Sequence, residues 1–360
     1  MNEKTQYQCE LLGNRLLKRY KHLKKWAKRN NINCYRLYDK DIPEIPLAID
    51  LYETETSIQG EVGFLYVQIA LYKRPYEKSE EEETLWLDAI KNQISTTLSV
   101  PLGNIILKTR LQQKGENQYE KLGNEKLEFI VKEHGLRFLI NLSDYIDTGL
   151  FFDHRPLRKK VQESCSKKSV LNLFCYTGAF SVYAASGRAK SVTSVDLSKK
   201  YLDWGKKNFK LNGYQDESKY QFVASDVKTF LEQDKNQYDI IVLDPPTFSN
   251  SKKTETTLDI NRDWPELVSL CCKRLSENGI LYFSTNSRKI RFEEEKLPLG
   301  FISKDITDST IPEDFRNMKI HQAWEIKADK TNCKNPPVET KKGFSENSKN
   351  PQNSKTEFRY

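Results

Sequence analysis

The sequence contains few of the features that mark membrane, secreted or metal-binding proteins. Among its 360 residues, no apolar run approaches the roughly 18 residues that span a bilayer. The first 15 residues are polar and lack a signal-peptide core. The seven cysteines are an odd number without paired spacing, which predicts reduced thiols. The four histidines are scattered, and no Cys-x-x-Cys occurs. We therefore expect a cytoplasmic protein that holds no metal and contacts no membrane.

Glycine-rich nucleotide-binding motifs are also missing. There is no G-x-G-x-x-G, which would favour NAD, and no G-x-x-x-x-G-K-[ST], which would favour a P-loop nucleotide. The charge is only mildly one-sided, with 58 Lys and Arg against 50 Asp and Glu and a net charge of +8. Because that charge is spread along the chain, it is compatible with an RNA partner without requiring one.

What is present is a series of short apolar segments in the middle of the chain, each ending in a polar residue. Helix-like stretches separate them, and this alternation predicts an open parallel α/β sheet with helices on both faces. The carboxyl ends of such strands meet at one edge, where ligands bind. The segments are Val170–Phe174, Val192–Val195, Tyr220–Val223 and Asp239–Leu243.

The residues at these strand ends suit an adenosine ligand. Thr177-Gly178 allows a tight turn and leaves room for a ligand against the main chain. Asp196, about twenty residues later, would accept hydrogen bonds from ribose hydroxyls. Asp226 would accept one from an adenine amino group, and the segment 244–248, Asp-Pro-Pro-Thr-Phe, lies where a substrate base would meet the cofactor. With no pyrophosphate motif present, S-adenosyl-L-methionine is the expected ligand.

Simpler interpretations exist for the single acids. Taken alone, Asp196 or Asp226 is more often a helix N-cap or a solvated turn residue. Asp244-Pro-Pro is harder to explain in that way, because two prolines cannot continue a central strand and fix an extended bend. The four features in the expected order favour the adenosyl ligand.

These motifs resemble the class I methyltransferases that modify 23S ribosomal RNA, and most closely those that methylate guanine N7. The resemblance covers about residues 10–327 and rests on Asn172–Phe180, Ser194–Ser198, Tyr201–Trp204, Leu211–Gly213, Leu243–Lys252, Cys34–Tyr38, Leu107–Arg110, Gln113–Gly115 and Asp144–Arg155. It implies a Rossmann-like class I methyltransferase sheet preceded by a smaller α+β domain. It also implies S-adenosyl-L-methionine as cofactor and 23S rRNA, or a large-subunit assembly intermediate, as partner. Fused members of the family carry a second methyltransferase and a THUMP domain. We expect a stand-alone form without them, so a separate THUMP-bearing partner is also considered.

We expect the cofactor to contact residues around the strand ends and the segment before the first strand. Asp153 and Arg155 would close over its methionine end, with Arg155 pairing with the carboxylate; the alternative is a pair that caps a helix entry. The remaining expected cofactor residues are Asn172, Phe174, Tyr176, Thr177, Gly178, Asp196, Leu197, Asp226, Val227 and Asp244.

The sequence determines less clearly which atom of the base receives the methyl group. A carbon-5 cytosine methyltransferase needs a cysteine nucleophile, and the expected positions hold none, while Cys175 lies in the cofactor turn. An exocyclic amine, as in guanine N2, needs an acceptor to free its lone pair, whereas guanine N7 needs alignment rather than a base. Asp244, Pro245 and Phe248 would orient the base, with Phe248 stacking on it. The residues alone do not separate N7 from an amine, and only the resemblance favours N7. A non-catalytic RNA-binding or ribosome-assembly protein is the alternative from another class.

Composition and periodicity suggest three regions: a small α+β RNA-binding domain at 1–145, a methyltransferase domain at 146–327 and a disordered tail at 328–360. The first region would contain helices over Leu11–Asn30 and Ser79–Leu98 and strands over Leu47–Glu53, Phe64–Tyr72, Ile105–Leu111, Leu127–Lys132 and Leu136–Asn141. We expect Lys108, Arg110 and Lys114 to contact phosphates, and Arg288 to contact RNA at the sheet rim. The basic helix near the amino terminus is equally well explained as a solvated face.

Overall fold

The structure is a computed structural model. It describes residues 2–55, 63–72, 78–109, 127–144, 147–249 and 257–330. The described residues up to Ala328 form one compact unit. The expected tail therefore lies almost entirely outside the described residues and stays a prediction. Within the described part of the chain, no helix is both long and apolar enough to cross a bilayer.

The amino-terminal part is a four-stranded sheet covered by two helices. Strand β2 pairs antiparallel with β1 and β3, and the edge strand β4 pairs parallel with β3. The long helix α1 packs its apolar side on this sheet and on α2. In chain order the elements are α1 (Glu3–Arg29), β1 (Cys34–Asp39), β2 (Leu47–Glu53), β3 (Leu65–Leu71), α2 (Glu80–Leu98) and β4 (Ile105–Thr109).

A hairpin joins this sheet to the second one. Strands β5 (Glu128–Glu133) and β6 (Leu136–Asn141) pair through a two-residue turn. His134 has φ 50° and Gly135 has φ 79°. Two consecutive positive φ angles are the requirement of a type I′ turn, whose twist matches that of the strands.

The carboxyl-terminal part is a seven-stranded sheet in the order β14-β15-β13-β10-β7-β8-β9. The five strands from β13 to the edge strand β9 are parallel. At the other edge, β15 pairs antiparallel with β13, and β14 pairs antiparallel with β15. The elements are α3 (Arg155–Ser164), β7 (Ser169–Leu173), α4 (Ala179–Ser186), β8 (Ser191–Asp196), α5 (Lys199–Leu211), β9 (Tyr220–Ala224), α6 (Val227–Gln233), β10 (Tyr238–Leu243), β11 (Phe248–Ser249), β12 (Leu258–Asp259), α7 (Ile260–Cys272), β13 (Leu275–Thr285), β14 (Phe301–Asp305), α8 (Thr307–Thr310) and β15 (Gln322–Ala328).

Successive side chains of a strand point to opposite faces of the sheet, and this explains why helices cover both faces. On β10, Ile240 and Val242 pack on one face with residues of α3 and α4, whereas Ile241 and Leu243 pack on the other with α6 and α7. Both faces of a parallel sheet must be covered, which is why these strands read as continuous apolar runs. The predicted α/β sheet with helices on both faces is confirmed. The strand order reverses between β7 and β10, so their carboxyl ends flank a crevice suited to a ligand.

Candidate active site at the strand ends

The turn after β7 folds back over the end of β8. Phe174, Tyr176 and Gly178 have φ angles of 53°, 51° and 72°. The Cys175 N–H donates to the Val195 carbonyl at 3.0 Å, and the Gly178 N–H donates to the Cys175 carbonyl at 2.8 Å. Positive φ at two non-glycine residues stores conformational strain of the kind that concentrates at functional sites.

Asp196 anchors this turn. Its Oδ2 accepts a hydrogen bond from the Tyr176 N–H at 2.9 Å, and its Oδ1 accepts one from the Ser198 N–H at 2.8 Å. Burial raises the pKa of Asp196, and these backbone hydrogen bonds oppose that rise. Leu197 is half-buried beside it. The result is a poorly hydrated, fixed carboxylate in which each oxygen keeps a free lone pair, which suits a ribose diol.

Several predicted cofactor residues have structural roles. The Asn172 side chain is buried and donates to Ser181 Oγ at 2.8 Å, which ties β7 to α4. Thr177 Oγ1 donates to the Gly149 carbonyl at 2.6 Å. A Cβ on Gly178 would lie 3.5 Å from Gly205 Cα on α5, so this side of the glycine packs against the protein and does not face a ligand. Gly178 is needed for its φ angle rather than for a ligand lying against it.

Asp226 is the N-cap of α6. Its Oδ1 accepts hydrogen bonds from the Thr229 N–H at 3.0 Å and from Thr229 Oγ1 at 3.3 Å. Val227, the first residue of the helix, is buried. The N-cap interpretation therefore accounts for the protein contacts of Asp226, although its Oδ2 has no partner among the described residues.

Asp244 lies at the end of β10 and is held from two sides. Its Oδ1 accepts a hydrogen bond from Ser284 Oγ at 2.6 Å and lies 3.2 Å from His154 Nε2. The other nitrogen of this histidine, Nδ1, lies 3.1 Å from Asp153 Oδ2. With the imidazole protonated, both contacts are ion pairs. His154 thus places a positive charge between two carboxylates.

A second histidine extends this chain of contacts. His321 Nδ1 lies 3.3 Å from Asp153 Oδ2, and its Nε2 lies 2.9 Å from Thr310 Oγ1. The rings of His154 and His321 stack with centroids 4.7 Å apart. Asp153, His154 and His321 have ligand atoms close enough together to hold a metal ion. In this structure these atoms contact one another, because Nδ1 of each histidine lies against Asp153 Oδ2.

The charge on His154 is strongly favoured. Burial opposes it, but attraction to Asp244 and Asp153 outweighs burial and raises the pKa of His154 to about 10. The same pairing holds the pKa of Asp153 well below its ordinary value, although burial acts in the opposite direction. Losing the proton from His154 would leave two carboxylates facing a neutral ring.

This raised pKa predicts a pH-dependent stability. Its stabilising contribution is complete below the ordinary pKa of 6.5 and is lost as the pH rises towards about 10. The free energy of unfolding should therefore fall by up to about 1.4 kcal/mol per pH unit as the pH rises from 6.5 to about 8. Above that pH, cysteines of the unfolded chain begin to ionise. Denaturant titrations across this interval would measure the slope.

The control for this prediction is His154→Asn, which keeps a polar side chain but cannot titrate. Its slope over the same interval should be nearly flat. His134 does not interfere, because burial lowers its pKa to about 4. A wild-type slope equal to that of the variant would show that His154 is not the titrating group.

The remaining predicted substrate residues lie around Asp244. Pro245 is buried, whereas Phe248 is 61% exposed on the short β11–β12 pair. Thr247 Oγ1 donates to Asn286 Oδ1 at 2.7 Å, which links this segment to the end of β13. Arg288 follows on the same rim and is exposed. Phe248 therefore presents a free aromatic face close to the end of the sheet.

The structure corrects the prediction for Arg155. This side chain is 1% exposed, and its guanidinium donates to Glu133 Oε2 at 2.8 Å, to Asp314 Oδ1 at 2.7 Å and to the Cys34 carbonyl at 2.9 Å. A guanidinium already bound to two carboxylates and a carbonyl has little capacity left for a cofactor carboxylate. Arg155 instead joins the two sheets.

The structure also corrects part of the predicted RNA contacts. Lys108 is 6% exposed on β4, level with Ala70 of β3, and such burial does not suit a phosphate contact. Arg110 and Lys114 lie outside the described residues, so their role stays a prediction.

The described cysteines are buried structural residues. Cys271 and Cys272 belong to α7 and pack in the core. Burial raises the pKa of Cys165 to about 11 and that of Cys272 to about 12, and it raises the pKa of Cys175 well above its ordinary value. These thiols stay protonated at neutral pH, which disfavours a thiolate nucleophile.

Sequence reasoning missed His154, His321, Ser284 and Asp314. His154 lies between Asp153 and Arg155, both of which were predicted as site residues, and this position could have indicated its role. The contacts of the other three join distant parts of the chain, and a single sequence offers no indication of such contacts.

The fold and this site define a class: a Rossmann-like sheet with an adenosyl-type crevice is the architecture of S-adenosylmethionine-dependent methyltransferases. Residues 62–281 match the family model described as S-adenosylmethionine-dependent methyltransferase, and this chain belongs to that family. Its cofactor is S-adenosylmethionine, as predicted.

The chain is similar to curated proteins of the same type. It is 45% identical over 319 residues to "Ribosomal RNA large subunit methyltransferase K" of Neisseria meningitidis, covering 88% of this chain and 86% of the relative. It is 43% identical over 320 residues to "Ribosomal RNA large subunit methyltransferase K/L" of Pseudomonas fluorescens, covering 89% of this chain and 41% of the relative. The chain thus spans about two fifths of the K/L relatives. A putative SAM-dependent methyltransferase from Streptococcus mutans shares the fold, with a TM-score of 0.64, 23% identity and coverage of 88% of this chain and 81% of that one.

Proposed function

We propose that this protein transfers the methyl group of S-adenosylmethionine to guanine N7 of 23S ribosomal RNA. The observation that carries the proposal is the 45% identity to a relative named for ribosomal RNA methylation, over most of both chains. The substrate would be the free RNA or a large-subunit assembly intermediate, and a separate THUMP-bearing partner would assist recruitment.

In this proposal Asp196 holds the cofactor ribose and Asp226 uses Oδ2 for the adenine amino group. The sulfonium methyl that the cofactor supplies would then face the crevice between β7 and β10. Since Arg155 is engaged elsewhere, the first N–H groups of α4 are the better partners for the methionine carboxylate, because a helix leaves them without intrahelical acceptors.

The chemistry asked of the protein is mainly alignment. Guanine N7 carries an in-plane lone pair and gains positive charge as the methyl group arrives, so no general base is needed. The Asp244 carboxylate, oriented by Ser284 and His154, would stabilise that charge. Phe248 would stack on the base and hold it in the crevice.

The test is methylation of protein-free 23S rRNA and of isolated large subunits, followed by mass spectrometry of the nucleosides. We expect 7-methylguanosine at one position. Methylation of guanine N2 would replace the N7 proposal with the amine alternative. Cofactor binding without transfer to any of these RNAs would favour a non-catalytic RNA-binding or assembly protein.

The ribose assignment makes a separate prediction. Asp196→Ala should weaken S-adenosylmethionine binding by roughly ten- to a hundredfold, because ribose donors and the Tyr176 N–H would lose their acceptor at a cost of about 1–3 kcal/mol. Calorimetry would measure the change. Asp203→Ala on the exposed side of α5 is the control and should leave the affinity unchanged. Equal affinities for all three proteins would reject the assignment.

A further inference from the structure

The carboxyl-terminal half of α1 carries a dense positive surface. We call it the α1 basic face. At 100° per residue its members fall within an arc of about 140°, and they extend about 16 Å along the helix. The opposite side, with Leu16, Leu23 and Ala27, is buried against the sheet. The members of the α1 basic face are Lys18, Lys21, Lys24, Lys25, Lys28 and Arg29, all exposed.

These charges lack acidic partners. No aspartate or glutamate occurs between residues 11 and 38. None of the six makes an ion pair with a carboxylate of the described residues, although other side chains of the helix contact acids: Arg15 contacts Asp41, and His22 contacts Glu313. The acidic first turn of α2 lies near the other end of α1, because Trp86 of α2 donates to Gln8 at 2.7 Å. The α1 basic face therefore keeps its positive field.

We propose that the α1 basic face binds the phosphate backbone of the RNA substrate, an inference that rests on the proposed function. Exposed lysines are point charges that contact phosphates without reading sequence, and backbone contacts of this kind fix the position of an RNA. A surface hollow of about 560 Å³ is lined by His22, Lys25, Lys28 and Arg29. A length of about 16 Å matches roughly five phosphates of one strand.

A series of side-chain contacts connects the helix to the active site. Arg19 donates to the Asp314 carbonyl at 3.0 Å. The Arg155 guanidinium lies 5.4 Å from the centre of the Trp26 ring, and the neighbouring His154 contacts Asp244. RNA bound to α1 would thus be held at a fixed distance from the catalytic carboxylate, which is what presentation of an unstacked base requires.

Other lysine-rich helices are less suited to this role. On α5, Asp203 interrupts the lysines and lies 3.8 Å from Lys206. On α3, Lys159 and Lys160 pair with Glu163 and Glu325 at 3.9 and 3.5 Å. Acidic neighbours weaken the attraction of these surfaces for phosphate. Glu313 lies beside the α1 basic face but is paired with His22, and none of the six cations forms an ion pair with a carboxylate of the described residues.

The experiment compares two triple variants with equal loss of charge. Lys21, Lys25 and Lys28 change to Gln in the test variant. Lys167, Lys190 and Lys273, which are exposed at the amino ends of β7, β8 and β13, change to Gln in the control. Binding of a short RNA duplex of unrelated sequence is followed by fluorescence anisotropy at several salt concentrations, and methyl transfer to 23S rRNA is measured in parallel.

We expect the test variant to bind the duplex at least about tenfold more weakly and to lose about two to three units of the log–log salt slope. Its KM for 23S rRNA should rise, with kcat at saturating RNA and cofactor affinity unchanged. The control should behave like wild type. Equal weakening of duplex binding in both variants would overturn the inference. Unchanged binding in the test variant would also overturn it and would leave an acidic protein as the partner of α1. If wild type methylates no rRNA but the duplex result holds, the proposed function fails and the RNA surface stands.

Discussion

Replacing Glu133 by alanine is expected to lower the free energy of unfolding by about 3–5 kcal/mol. This carboxylate is fully buried and accepts hydrogen bonds from Arg155 Nε and Arg158 Nε, both at 2.8 Å, and from the Tyr183 hydroxyl at 3.0 Å. Burial raises its pKa, yet the two arginines outweigh burial and lower it. Without Glu133, Arg155 would keep the carboxylate of Asp314, and the buried guanidinium of Arg158 would have no carboxylate partner among the described residues.

Denaturant unfolding of the variant and of Glu293→Ala would measure this effect. Glu293 pairs with Lys296 at 2.8 Å on the surface, and its loss should change stability by no more than about 1 kcal/mol. Equal effects of the two substitutions would show that the buried network contributes no more than a surface pair.

Arg155→Lys separates the structural role from the cofactor role. Lysine keeps the charge but loses the fork that binds Glu133 and Asp314 together. We expect a loss of stability with unchanged cofactor affinity in the folded protein. Weaker cofactor binding at unchanged stability would restore the pairing of Arg155 with the methionine carboxylate.

Asp244→Asn is expected to lower kcat for methyl transfer by about 10²–10³-fold. Asparagine keeps the shape of the side chain but removes the charge that faces the reacting base. It also leaves His154 with one carboxylate, that of Asp153, instead of two. Single-turnover transfer to 23S rRNA, at saturating RNA and cofactor, would measure the loss.

Calorimetry on the same variant distinguishes the two roles considered for Asp244. An orienting and electrostatic role predicts nearly unchanged cofactor affinity beside the reduced kcat. A large loss of cofactor affinity would place Asp244 in the cofactor site instead. Ser284→Ala removes only the 2.6 Å hydrogen bond to Asp244 and should give an intermediate kcat, because the carboxylate keeps its charge but loses part of its orientation.

The sequence by itself determined the large sheet and the residues at its rim. The predicted strand 239–243 is observed as Tyr238–Leu243, and Asp196 and Asp244 lie at strand ends as expected. This succeeded because a strand buried on both faces is a continuous apolar run, and because the residues that follow it are adjacent in sequence to the turn they form. The strand Cys34–Asp39 was missed as a strand, although its residues contributed to the resemblance.

Only the tertiary structure decided what the charged residues do. Arg155 was predicted to face the cofactor, yet it pairs with Asp314, 159 residues away. Lys108 was predicted to face RNA, yet it is buried, whereas the six cations of the α1 basic face are exposed and form no ion pair with a carboxylate of the described residues. His154 holds Asp244 through a contact that no local pattern indicates. The role of a charged side chain depends on its solvent exposure and on the charges nearest to it, and both are set by segments that meet only when the chain has folded.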